Sequence, residues 1–201
     1  MYELLRKKFD EIILLNDEEF DLCKTLFQPK KVRKKQYLLQ EGEVCRHTIF
    51  VERGLLRSFT IDNKGNEHIL QFAMEGWWLG DLYSFFTGEP GMYNFEALEE
   101  SEVLMITRPN WDMLLERVPK LERFFRILIQ NNLIATQRRL IGTFSETADV
   151  KYEKLMKTFP DCFQKVPQHM IASYLGITRE TLSRIRKQLA TKKGSNKNLL
   201  H

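Results

Sequence analysis

Four polar residues late in the sequence, Arg179, Glu180, Ser183 and Arg184, have the types and spacing to act together. On an α-helix, 179 and 183 lie one turn apart, as do 180 and 184, so the four make one polar patch near a helix start. A guanidinium can grip guanine O6 and N7 with two hydrogen bonds, a carboxylate can accept from cytosine N4, and a hydroxyl can touch either kind of base. That is the chemistry of reading base edges, and it needs a helix presented to the major groove. Thr178, Arg186, Lys187, Lys192 and Lys193 flank the patch. Side chains of these types suit phosphate oxygens, which add affinity without sequence information.

The elements that must carry this patch are legible around it. Pro167 opens a helix in which Ile171, Ala172 and Leu175 make one apolar face, and Ala172 is small where a second helix must cross closely. Gly176 can take the left-handed conformation that ends such a helix. Thr178 is a suitable N-cap for the next one. Leu182, Ile185 and Leu189, spaced by three and four, give that second helix a buried face and leave the polar patch outward. Residues 167–190 therefore predict a helix-turn-helix, and the small–Gly–cap–basic arrangement favours DNA over a merely structural hairpin. Charge agrees with this. Residues 178–201 hold seven Lys and Arg against one acid, while the rest of the 201-residue chain holds 24 bases against 26 acids. A basic segment on a near-neutral body attracts a polyanion, although charge alone would favour a solvated tail.

Upstream, the texture divides into zones. Residues 1 to about 28 read as helical, with Pro29 ending them. From Val32 to about Thr107, short apolar runs at 37–39, 48–51, 55–61, 68–72 and 103–106 are broken by glycines, and Asp62–Asn66 forms a hairpin turn. Such strands predict a small barrel or roll. A long helix follows Pro119 and should run to about Ile141, with Gly142 past its end. Ile127, Ile134 and Ile141 recur every seven residues with Phe124 and Asn131 between them, a seam of the kind that pairs two helices, and Asn131 would fix the register. An ordinary buried helix would show much of the same pattern.

The segment Leu175-Gly176-Ile177-Thr178-Arg179-Glu180-Thr181-Leu182-Ser183-Arg184-Ile185 resembles the recognition segment of the Crp/Fnr family of bacterial regulators. The resemblance extends along nearly the whole chain in element order. It implies an α+β fold: an N-terminal antiparallel β-roll (a double-stranded β-helix of the cyclic-nucleotide-binding type) with flanking helices over 1–118, a dimerisation helix over 119–142, and a helix-turn-helix domain over 143–201. It also implies a homodimer on a palindromic promoter site, with double-stranded DNA and RNA polymerase as partners, and it places Arg179, Glu180, Ser183 and Arg184 on base-contacting positions. Members usually carry a β-hairpin wing after the recognition helix, and the residues after Leu189 leave room for a stub at most, so a reduced wing is expected.

In ligand-binding members a Gly-Glu pair and a later Arg-Ser or Arg-Thr pair hold the ribose and cyclic phosphate. Here the corresponding residues are Gly80, Asp81 and Leu82, then Gly91, Met92 and Tyr93. Without the arginine, a phosphate would be desolvated with no charged partner. Glu89 and Glu96 would add repulsion, and the rings of Tyr83, Phe85, Phe86, Tyr93 and Phe95 are expected to fill the old pocket. The effector, if there is one, is therefore not expected to be cyclic AMP.

Other chemistries find less support. Cys23, Cys45 and Cys162 are too few and too scattered for an iron–sulfur cluster, and they suit a reducing cytoplasm. His47 and His68 are isolated candidates for haem ligation, and Cys45 lacks most of what lowers a thiol pKa. A metal-dependent barrel enzyme would need several histidines converging with a carboxylate, and the chain has four histidines, two of them outside the roll. No phosphate loop or nucleophile elbow occurs, so no enzyme activity, metal or cofactor is expected. No signal-peptide pattern and no membrane span is read. A ligand-binding module that controls a partner protein without DNA stays as the alternative.

Overall fold

The computed structural model describes residues 1–159 and 165–197, leaving aside the side chains at 190 and 192–197. Two amphipathic helices come first, α1 (Glu3–Asp10) and α2 (Asp17–Leu26). A capping box starts α2: the Asn16 side chain accepts from the Glu19 N–H at 2.8 Å, and the Glu19 carboxylate accepts from the Asn16 N–H at 2.9 Å. The start of α1 is satisfied by Glu52, whose carboxylate accepts from the N–H groups of Leu4 and Leu5.

Eight strands follow: β1 (Gln28–Val32), β2 (Tyr37–Leu39), β3 (His47–Arg53), β4 (Leu56–Ile61), β5 (Glu67–Ala73), β6 (Trp78–Leu79), β7 (Asn94–Ala97) and β8 (Ser101–Thr107). They make two four-stranded antiparallel sheets, ordered β1-β8-β3-β6 and β2-β7-β4-β5. The expected roll is thus present. The Asp62–Asn66 turn joins β4 to β5 as expected, with the Asp62 carboxylate accepting from the Lys64 and Asn66 N–H groups and Gly65 at φ 82°. Pro29 does more than end a helical zone. It lies inside β1, an edge strand, which is where a strand tolerates a residue that cannot donate.

Short α3 (Leu82–Thr87) sits between β6 and β7. After β8 come α4 (Arg108–Arg117) and α5 (Lys120–Ser145). The core joins Ile49, Val51, Leu79 and Val103 of one sheet to Leu56, Phe95 and Ala97 of the other, and continues under the helices as a cluster of rings. Phe125 of α5 lies 4.0 Å from Trp111 and 5.2 Å from Trp78 between ring centroids, and Phe124 lies 4.8 Å from Phe9. Ring pairs of this kind bury large apolar area and fix orientation.

Two features of α5 differ from expectation. The helix does not stop before Gly142 but continues to Ser145, since the Glu146 N–H still donates to the Gly142 carbonyl at 3.0 Å and Gly142 keeps a negative φ. Glycine inside a helix costs only about 1 kcal/mol relative to alanine, too little to end one that propagates on both sides. Phe124, expected in the seam between helices, is 3% exposed and belongs to the chain's own ring cluster. A side chain so covered has almost no surface left for a partner.

The chain divides into two compact units, Met1–Leu133 and Ile134–His201. In the second, α6 (Ala148–Thr158), α7 (Gln168–Leu175) and α8 (Arg179–Lys197) pack around Leu155, Val166, Ile171, Ala172, Leu182 and Ile185. Where a stub of a wing was expected, α8 stays helical to Lys197, and residues 198–201 lie outside the described residues. Ala190, Lys192 and Lys193 favour helix, so the local propensity prevails there.

Candidate nucleic-acid interface

The turn between α7 and α8 is built by its backbone. Gly176 takes φ 66° and ψ 36°, and its N–H donates to the Ser173 carbonyl at 3.0 Å. The Ile177 N–H donates to the Ala172 carbonyl at 3.0 Å, so the two bonds form a Schellman motif. Two residues later the Thr178 hydroxyl accepts from the Thr181 N–H at 3.2 Å and starts α8. Ile171, Ala172, Leu182 and Ile185 are each under 5% exposed, and Leu175 and Leu189 are half-buried beside them. This interlock of α7 and α8 fixes which face of α8 turns outward.

That outward face carries Arg179, Glu180, Ser183 and Arg184, all exposed. The four line one shallow groove of about 790 Å³. Lys187 and Gln188 extend it along α8, and Gln168 and His169 bring the start of α7 to its wall. Sequence reasoning missed Gln168 and His169, although their place at the start of the first helix was readable. Lys187 was expected on flanking phosphates, yet it lines the groove together with the four central residues, one turn beyond Ser183. Arg186 is exposed on the flank, about 100° around the helix from Lys187. Thr178 is occupied in part as the helix cap. The side chains of Lys192 and Lys193 lie outside the described residues.

Glu180 is held below the usual carboxylate range by its own backbone N–H first and by the Thr178 hydroxyl second. It therefore stays ionised at neutral pH and acts only as an acceptor.

The seam residues fall differently. Ile127 is half-buried, while Asn131, Ile134 and Ile141 are exposed. With Leu133, Leu140 and Phe144, the three isoleucines form an apolar stripe about 140° wide at the helical period. Ile141 is 64% and Phe144 83% exposed. Asn131 stands at the edge of this stripe and not at its centre.

In the roll, the segment expected to hold an effector is closed by its own bonds. Asp81 is 3% exposed, and its two carboxylate oxygens accept from the N–H groups of Ser84 at 3.1 Å and Met92 at 3.2 Å. The acid expected to meet a ribose is thus committed to capping α3 and fastening the following loop. A Cβ on Gly91 would lie 2.5 Å from Asp81 Oδ2, so a side chain at the position expected to hold an arginine requires the Asp81 carboxylate to shift from its bond to the Met92 N–H. A Cβ on Gly80 would come within 3.0 Å of the Thr48 hydroxyl. Leu82 and Met92 are exposed, and Tyr93 is half-buried against the core.

Two expectations about this segment fail. Phe85 and Phe95 are in the core, but Tyr83 and Phe86 are exposed and do not fill a pocket. Glu96 is not a source of repulsion either. It pairs with Arg57, whose Nε donates to Glu96 Oε2 at 2.6 Å, and Arg57 also holds Glu67. Burial pushes the Cys23 thiol up to about 12 and also raises that of Cys45, the opposite of what a reactive thiol needs. Burial lowers the His47 pKa, helped by Lys30 and Arg46, while His68 meets Asp62 at 3.0 Å in the β4–β5 turn. Among the described residues, no three His, Cys, Asp or Glu side chains are placed to hold a metal ion, and no helix is long and apolar enough to cross a membrane.

Residues 29–118 match the model of the cyclic nucleotide-binding domain. The chain is 27% identical over 185 residues to the fumarate and nitrate reduction regulatory protein of Vibrio cholerae, covering 85% of this chain and 72% of that protein. It is 24% identical to the regulatory protein HlyX of Actinobacillus pleuropneumoniae, covering 85% and 75%. In fold it is similar to FixK2 from Bradyrhizobium japonicum, with a TM-score of 0.72 and 19% identity over 83% of this chain and 86% of that one.

Proposed function

The chain belongs to the Crp/Fnr family of regulators, and from that premise we propose that it is a transcription regulator that reads a palindromic DNA site as a homodimer. The observation that carries the reading is the groove on α8, where Arg179, Glu180, Ser183 and Arg184 stand exposed together on a face fixed by the Schellman turn and the Thr178 cap. Arg184 and Arg179 take guanine edges, Glu180 turns from Thr178 to accept from cytosine, and Ser183 touches either base. Arg186, Lys187, Lys192 and Lys193 meet phosphates, and Lys187 also borders the reading face. The apolar stripe of α5 pairs two protomers. The roll unit is the sensor, and a ligand that favours one arrangement of the DNA-binding units would shift the population toward tight binding. RNA polymerase is the expected protein partner and the cytoplasm the expected place of action. Like the regulators it resembles, the chain is not an enzyme.

Arg184→Ala is expected to weaken binding by about 1–3 kcal/mol on a site selected from random duplex DNA, and to relax the preference at one G·C pair per half-site. Arg186→Ala should weaken selected and scrambled duplexes alike and lower the salt dependence by about one charge. Titrations of both variants on both duplexes decide. Equal loss on the two DNAs for Arg184→Ala would remove it from base reading.

The hydrogen bonds of Asp81 and the closeness of Gly91 to it argue against the cyclic-nucleotide ligand that the domain's description suggests. Calorimetric titration with cyclic AMP and cyclic GMP is expected to show no micromolar binding. A micromolar affinity that also tightens DNA binding would overturn this.

A further inference from the structure

The division of the chain falls inside α5, so its second half, from Ile134 on, belongs to one unit with α6, α7 and α8. That half-helix has two distinct faces. One is the apolar stripe, with Ile134, Leu140, Ile141 and Phe144 exposed. On the opposite face stand Arg139, Gly142 and Thr143, at spacings of three and four, and Glu146 continues the line just past the helix. This second face is fastened to the DNA-binding helices at two places. The first is the corner between α5 and α6. The Glu146 carboxylate pairs with Lys154 Nζ of α6, and Lys151 Nζ, also of α6, donates to the Thr143 carbonyl at 3.3 Å. Gly142 is buried at this corner, and a Cβ there would lie 3.2 Å from the Glu146 carboxyl carbon. The bare backbone lets the carboxylate lie close against α5, which gives a reason for glycine inside a helix that does not end there. The second place lies one turn back along α5. The Arg139 guanidinium is 5.0 Å from the centre of the Tyr174 ring on α7, and both residues are half-buried. A flat guanidinium over a ring is a directional contact, and Tyr174 precedes Leu175, which is half-buried at the α7–α8 interlock.

We propose that Arg139 is a positioning residue: its clasp on Tyr174 fixes the angle of α8 to the dimer axis, and with it the half-site spacing that the protein accepts. The inference rests on the homodimeric, DNA-reading function proposed above. One face of α5 pairs the protomers and the other carries α6 and α7, so the helix is the strut between the two. The α5–α6 corner alone is a pivot about which α7 and α8 can swing. A contact with α7 at a second point removes that freedom. A swinging joint would let each α8 follow its own half-site, and several spacings would bind alike. A clasped joint presents both reading faces to one spacing only, because each added base pair turns one half-site by about 35° around the duplex axis. The clasp is separate from the reading surface: neither Arg139 nor Tyr174 lines the α8 groove, so affinity for a single half-site does not depend on them.

The test titrates the full chain on a single half-site and on palindromes whose half-sites stand at the selected spacing or one base pair nearer or farther. The parent should bind the selected spacing far more tightly than the shifted ones. Arg139→Ala and Tyr174→Leu should each bind the selected spacing about 5–30-fold more weakly, since the contact is lost in both protomers. Their preference over the shifted spacings should shrink by a similar factor. Tyr174→Phe keeps the ring and should keep the parental profile. All three variants should keep parental affinity for the half-site, which also shows that they fold. A parental spacing profile in Arg139→Ala or Tyr174→Leu would overturn the proposal. A half-site loss as large as the palindrome loss would do the same, and so would a loss confined to Arg139→Ala with a lower salt slope, which makes the arginine a phosphate contact. If the parent itself binds palindromic and scrambled duplexes alike, the DNA-reading function fails and the proposal with it, a result visible before any variant is made.

Discussion

Ile134→Glu is expected to leave the chain a monomer and to lower its affinity for a palindromic site by about 10²–10⁴-fold. Ile134 is 46% exposed in the single chain, in a stripe with Leu133, Leu140, Ile141 and Phe144. A helix face of this width is covered in a stable protein, and a two-fold pairing of the same face supplies the cover without another component. Two glutamates would then meet near the axis, each buried without a cation, which is a severe penalty at an interface. The size of the DNA effect comes from valency. A dimer engages its second half-site intramolecularly, while a monomer must bind each half-site on its own. Binding to an isolated half-site should therefore be unchanged in the variant, and only the gain from the second half-site should vanish. Ile134→Leu conserves volume and should keep both properties. Sedimentation velocity, with titrations on half-site and full-site duplexes, separates the cases. A variant that still sediments as a dimer would place the interface elsewhere.

What the sequence made legible follows periodicity and backbone punctuation. The helix-turn-helix was readable because Gly176, Thr178 and the Leu182–Ile185–Leu189 spacing each constrain a short stretch of backbone, and the four candidate base readers share one groove for the same local reason. Strands with apolar runs were readable, whereas β1 was not, because Gln28-Pro29-Lys30-Lys31 is an edge strand held by pairing with β8 and not by its own pattern. β7 was missed because Asn94 and Glu96 alternate with Phe95 and Ala97, and all four are buried. Polar residues on the second face are paid no attention by a hydrophobicity pattern, and only the partner strands reveal what satisfies them. Phe124 misled for the opposite reason: its heptad position fits a seam, but Phe9 of α1 and Trp78 of β6 already cover it. Spacing along one helix says which residues share a face, and it cannot say whether that face meets the same chain or another.

Arg57 shows how much such hidden pairing is worth. Arg57→Ala is expected to destabilise the roll unit by about 3–5 kcal/mol. Arg57 is the one buried cation among the described residues, 4% exposed. On β4 it stands opposite Glu96 of β7, and its guanidinium bonds Glu96 and Glu67 and lies 4.0 Å from the Phe59 ring centre. With both carboxylates in place this arginine is unavailable as a substitute for the phosphate-binding arginine missing at Gly91. Removing it leaves the two acids unequal. The Glu67 side chain is 38% exposed and can turn to water, whereas Glu96 is 8% exposed and cannot. The cost therefore attaches to an unpaired charge at Glu96, and lost packing against Phe59 adds to it. Glu96→Gln in the Arg57→Ala background should then restore a substantial part of the loss, because the amide needs no countercharge. Trp77, Trp78 and Trp111, the only tryptophans, all lie in the roll unit, so their fluorescence during urea denaturation reports that unit alone. Losses that simply add in the double variant, or an Arg57→Ala loss below about 1 kcal/mol, would show that Glu96 reaches water or another donor once Arg57 is gone.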